Sequence, residues 1–67
     1  MSVAKITEIS STSTTSFEDA IEKGIARASE TIRNIRSAWI KEQHVRVDQG
    51  RPTEYQVNMM VTFVLED

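Results

Sequence analysis

The chain has 67 residues, 39% of them hydrophobic, a formal net charge of −2 and no cysteine. A single domain, residues 1–67, follows from that length, with a core too small to be secure alone. The acidic balance argues against a nucleic-acid partner. Missing cysteine excludes disulfides and thiolate metal sites, and one histidine cannot build a His-rich zinc site.

No stretch approaches the roughly 20 apolar residues of a membrane-spanning helix. Met1-Ser2-Val3-Ala4-Lys5 has no signal-peptide apolar core. The expectation is therefore a cytoplasmic protein, with no membrane or nucleic-acid partner, stabilised by association with itself.

In chain order, Val3, Ile6 and Ile9 place a first strand over Val3 to Ile9. Ser10 to Ser16, a run of hydroxyl residues, reads as a connecting loop with nothing to bury. Its end offers a helix cap: Ser16 stands three before Asp19, and Thr15 three before Glu18.

The longest periodic segment follows. Phe17, Ala20, Ile21, Ile25, Ala28, Ile32, Ile35 and Ala38 recur at steps of three and four, with Gly24 in phase. This predicts one helix from Phe17 to about Ser37. The small residues Ala20, Gly24 and Ala28 on its stripe predict close approach to a sheet.

Trp39 to Val47 reads as a second strand that starts at the helix exit. Simple alternation puts Ile40, Glu42, His44 and Arg46 on one face, and Trp39, Lys41, Gln43, Val45 and Val47 on the other. Asp48 to Thr53 holds the only proline and is a turn. Glu54 to Leu65 is the clearest strand. Its residues Tyr55, Val57, Met59, Val61, Phe63 and Leu65 alternate without a break and should meet the helix. The opposite face, Gln56, Asn58, Met60, Thr62 and Val64, is mixed and suits cover by another subunit.

The order strand, helix, strand, strand predicts an α+β fold. It is a β-α-β-β unit whose three-stranded antiparallel sheet curls around one helix, with the third strand central. Edges and one face are left over.

No catalytic set emerges, which argues for a binding protein and against an enzyme. His44 has no marked acid partner in sequence, and there is no glycine-rich phosphate loop. Trp39 either seals the fold or an assembly, or offers a stacking platform for a flat ligand. Gln56, with an amide donor and acceptor side by side, suits a ligand edge of alternating N–H and C=O groups. In simple alternation Trp39 points with Val45 and Val47, so a bulge or twist at the helix exit is needed to turn it outward, and the strand register decides whether it shares a face with Gln56.

Ser16 to Ile21, Ala28 to Ile35, Trp39 and Glu54-Tyr55-Gln56-Val57 together resemble the dodecin family, over essentially the whole chain. The resemblance implies a hollow homododecamer that binds flavin at subunit interfaces. Paired flavin rings lie between symmetry-related tryptophans, and a glutamine bonds the pyrimidine-like edge. Here those roles fall on Trp39 and Gln56. Arg46, seven after the tryptophan, would meet an FMN phosphate or a neighbouring flavin. His44 stands where archaeal members carry an acid, which places the chain nearer the bacterial branch and makes FMN or riboflavin the expected cofactor. Some members also bind coenzyme A, a second ligand the resemblance admits. The implied role is flavin storage with quenching of its photoreactivity. The competing reading is a structural or interaction module, or a coenzyme A-binding shell, without flavin.

Overall fold

The structure is a computed structural model that describes residues 2–65. The chain runs β1 (Val3–Ser13), α1 (Phe17–Ala28), β2 (Ile35–Asp48) and β3 (Arg51–Leu65). The sheet order is β1-β3-β2 with both pairs antiparallel, so β3 is central as expected. Among the described residues no helix is long and apolar enough to cross a membrane.

β3 is 15 residues long and α1 only 12. That sets about 50 Å of strand against about 18 Å of helix. The helix lies over β1 and β3, leaving β2 uncovered on the same side. The core is correspondingly small. Ala20, Val57 and Met59 are fully buried, with Ile9, Phe17, Ile21 and Ile25 packed around them. Phe17 meets Tyr55 edge to face at 5.1 Å. Leu65, at the end of the apolar row of β3, stays exposed.

Gly24 is where helix and sheet approach most closely. A β-carbon there would lie 2.8 Å from Met59 Cε and 2.9 Å from Ser11 Cβ. The glycine that weakens the helix interior is thus what lets the core close.

Ser16 is the N-cap, accepting a hydrogen bond from the Asp19 backbone N–H at 3.0 Å. The hydroxyl run before it is not a plain loop. Residues 10–13 continue β1, Ser11 packs on Gly24, and Ser13 is buried. The Ser13 hydroxyl donates to Asp19 Oδ2 at 2.6 Å and accepts from the Thr15 N–H at 2.9 Å. That bond, and then the one from Lys23, hold the Asp19 carboxyl below the usual carboxylate range.

The helix ends at Ala28, well short of the expected Ser37. The Ser29 hydroxyl and N–H both bond the Ile25 carbonyl, and Thr31 and Ile32 bond back to Ala28. Asn34 then takes the left-handed conformation (φ 63°), which an α-helix cannot contain. The apparent helical phase beyond Ala28 belongs first to the connection that holds Ile32 and then, from Ile35, to a bulged strand. Register shifts at Arg36 and Lys41 put Ile35, Ala38, Ile40, Gln43 and Val45 opposite Phe63, Val61, Met59, Val57 and Tyr55. A strand with an extra residue at each bulge repeats at three then two, and the steps of three look like helix turns.

The turn between β2 and β3 is shorter than expected. Only Gln49 and Gly50 lie outside the strands, both with positive φ (51° and 76°), as a tight hairpin requires. Pro52 therefore falls inside β3, opposite Val47. β1 reaches only to Tyr55, so nothing there needs a proline N–H.

Candidate functional site

One face of the sheet has no helix. The bulge at Lys41 decides what stands on it. Trp39 is opposite Met60, whereas beyond the bulge Glu42, His44 and Arg46 are opposite Asn58, Gln56 and Glu54. In an antiparallel sheet paired residues share a face. Trp39 therefore shares the open face with Gln56, and simple alternation had both sets wrong relative to each other. Ile40 stands on the helix side instead, opposite Met59, and stays exposed there. The bulge lies beyond Trp39, inside β2, and not at a helix exit, because β2 begins at Ile35.

The Trp39 side of this face is apolar. Trp39 is 49% exposed and Ile6 49% exposed, with Met60 and Val64 partly covered beside them. Nearby, Lys41 Nζ meets Glu8 Oε1 at 3.3 Å, both exposed.

The other end is polar. His44, Val45, Arg46, Glu54 and Gln56 line a shallow, open cavity of about 380 Å³. Three of the four sequence-derived candidates, His44, Arg46 and Gln56, thus come together. Trp39 stands apart from them, since Met60 and Gln56 are four residues apart along β3, or about 13 Å. Arg46 is the most exposed of the set, with Nε 3.8 Å from Glu54 Oε1. His44 Nε2 is 4.0 Å from Glu42 Oε1.

Gln56 is held by neighbours that were not singled out in the sequence. Its Nε2 donates to Ser10 Oγ and to Asn58 Oδ1, each at 3.1 Å. Asn58 Nδ2 in turn donates to Glu42 Oε1 at 3.1 Å. Among the described residues Gln56 Oε1 accepts no hydrogen bond. The signal for Asn58 was present in the alternation of β3, two residues from Gln56. Ser10 and Glu42 needed the register.

The architecture defines a class: small α+β chains whose antiparallel sheet is backed by one helix and left open on the other face. Residues 3–66 match the family profile described as Dodecin, and the chain belongs to the dodecin family. Calcium dodecin of Mycobacterium tuberculosis is 36% identical over 63 residues, covering 94% of this chain and 89% of that protein. A Thermus thermophilus dodecin carrying an arginine-to-alanine substitution superimposes with a TM-score of 0.93 at 34% identity, covering 100% of both chains. Dodecin from Streptomyces davaonensis gives 0.92 at 32% identity, covering 98% of this chain and 97% of that one.

Proposed function

We propose that this dodecin binds FMN or riboflavin at boundaries between copies of itself, in a homododecamer, and serves as a cytoplasmic flavin store without catalytic turnover. The observation that carries the reading is the Lys41 bulge. It puts a half-exposed indole and an amide with an unbonded acceptor on one uncovered face.

The residues present fit a flavin. Such a group supplies a photoexcitable, redox-active ring. Trp39 offers an indole face for stacking, with large contact area and little entropy to lose. Gln56 offers Oε1 to an N–H of the ring edge. Arg46 carries an exposed guanidinium suited to a phosphate. The separation of about 13 Å between Trp39 and the Gln56 cavity supports a site completed by a second copy. Self-association is supported further by the exposed Val3, Ile6, Val45, Val47 and Leu65 and by two unpaired sheet edges.

The calcium in the name of the mycobacterial relative is a property of that protein. Among the described residues no group of three or more His, Asp or Glu is gathered to hold an ion.

The test is titration of FMN and riboflavin with purified protein. Quenching of flavin fluorescence is expected, with most binding lost in Trp39→Ala while native mass spectrometry still shows the assembled shell. Unchanged affinity in that variant removes Trp39 from the site, and a collapsed shell makes it a structural seal. Coenzyme A titrated in parallel separates the shell-only alternative.

A further inference from the structure

The open face of β3 carries an ordered run of side-chain hydrogen bonds with a single direction. Ser10, Asn58 and Glu42 lie across the three strands in one register line. The carboxylate of Glu42 can only accept. Asn58 must therefore turn its NH₂ to Glu42, which aims its Oδ1 along the strand. Gln56 answers that oxygen with its own NH₂, whose second proton goes to Ser10 Oγ. Both amide protons of Gln56 are then used, and Oε1 is the group left to face outward. One charge, two residues removed, fixes which end of the amide is presented.

We propose that Glu42 and Asn58 are positioning residues that hold Gln56 as a hydrogen-bond acceptor, so that the site selects ring ligands presenting an N–H at their edge. The proposal rests on the flavin reading and names what that site discriminates. An amide free to turn over would serve a donor or an acceptor equally. With its NH₂ held by Asn58, turning Gln56 sets its carbonyl against the Asn58 carbonyl and forfeits that bond, whereas the Ser10 hydroxyl can serve either end. A ligand whose ring N–H is methylated meets Oε1 with no donor.

Glu42→Gln keeps the shape and removes the constraint. The new amide can donate to Asn58 Oδ1, reversing the run and turning the Gln56 NH₂ outward. The experiment compares riboflavin with 3-methylriboflavin, by fluorescence quenching, in the full-length protein and in Glu42→Gln. The unmodified protein is expected to prefer riboflavin by about tenfold, and Glu42→Gln to bring the ratio towards one with thermal stability unchanged. An unaltered ratio in the variant overturns the proposal while leaving flavin binding intact.

A ligand-free measurement keeps the two questions separate. Neutron diffraction of the deuterated protein distinguishes ND₂ from oxygen. Gln56 ND₂ directed at Ser10 and Asn58, and reversed in Glu42→Gln, supports the positioning role of Glu42 and Asn58 even where neither flavin binds and the functional reading has failed. Gln56 oxygen directed at Asn58 in the unmodified protein overturns it.

Discussion

On β3 the odd-numbered Val57, Met59 and Val61 are fully covered, whereas the even-numbered Gln56, Asn58 and Met60 stay partly exposed. The two faces share one backbone and differ in what covers them. The odd face meets α1, and its side chains are chosen for volume. The even face has no helix, yet it does not carry the charges of a solvated surface. Its central strand carries neutral amides and apolar groups from Gln56 to Val64, with the charges of Glu8, Lys41, Glu42, Arg46 and Glu54 around them. A face of that composition is half-prepared for a dry partner. Its polar atoms are already oriented and its apolar atoms already grouped, and the partner remains to be supplied.

The contrast can be broken most severely from the covered side. Met59→Ala empties a fully buried site in a small core and is expected to destabilise by roughly 2–5 kcal/mol in thermal or denaturant unfolding. A loss under about 1 kcal/mol would mean that the core is anchored elsewhere. Gly24→Ala acts in the opposite sense, by overfilling. The added methyl has no room between Met59 and Ser11, and a loss of about 1–3 kcal/mol is expected despite the gain in helix propensity. Greater stability would show that the helix can slide outward.

The open face should respond differently. Gln56→Ala is expected to weaken flavin binding by about 1–3 kcal/mol and to leave unfolding nearly unchanged. A large stability loss would place Gln56 with the odd face in character. The smallest effect lies at the junction of β1 and α1. Asp19 has a lowered folded-state pKa, so its contribution is present above the unfolded-state value and is lost as pH falls through the folded value. Asp19→Asn should flatten the acid limb of stability against pH below about 4. Ser13→Ala, which removes the first cause of the lowering, should flatten it in part. An acid limb unchanged by either substitution would remove this carboxylate from the linkage.

The same two faces explain what the sequence made legible. The unbroken alternation from Tyr55 to Leu65, the small stripe Ala20-Gly24-Ala28, the Ser16 cap and the strand order could all be read, because each depends on local period or local chemistry. Three readings failed for a common reason: strand and loop were judged by local pattern, although pairing partners far along the chain decide them. Ser10 to Ser13 carry hydroxyls that suit a loop, but β3 supplies a ladder for them. Ile32, Ile35 and Ala38 keep helical spacing, but Ile32 falls in the connection before β2 and the bulge at Arg36 produces the step of three from Ile35 to Ala38 in a strand. Trp39 pointed the wrong way for the same reason. At the candidate site, residue type pointed to Trp39 and Gln56 and the family resemblance to Arg46 and His44, but Glu42 and Ser10 acquire their relation to Gln56 only through cross-strand register.

The bulges also bear on solubility. β2 is an outer strand of 14 residues, and one of its edges has no neighbour in this chain. A flat edge of that length is a template on which unfolded or foreign strands can add and start a fibril. Arg36 and Lys41 break it into the short regular runs Ser37 to Ile40 and Glu42 to Arg46, and each break carries a positive charge. An incoming strand without matching interruptions cannot stay in register past either one, so the edge accepts a shaped partner and refuses a generic one.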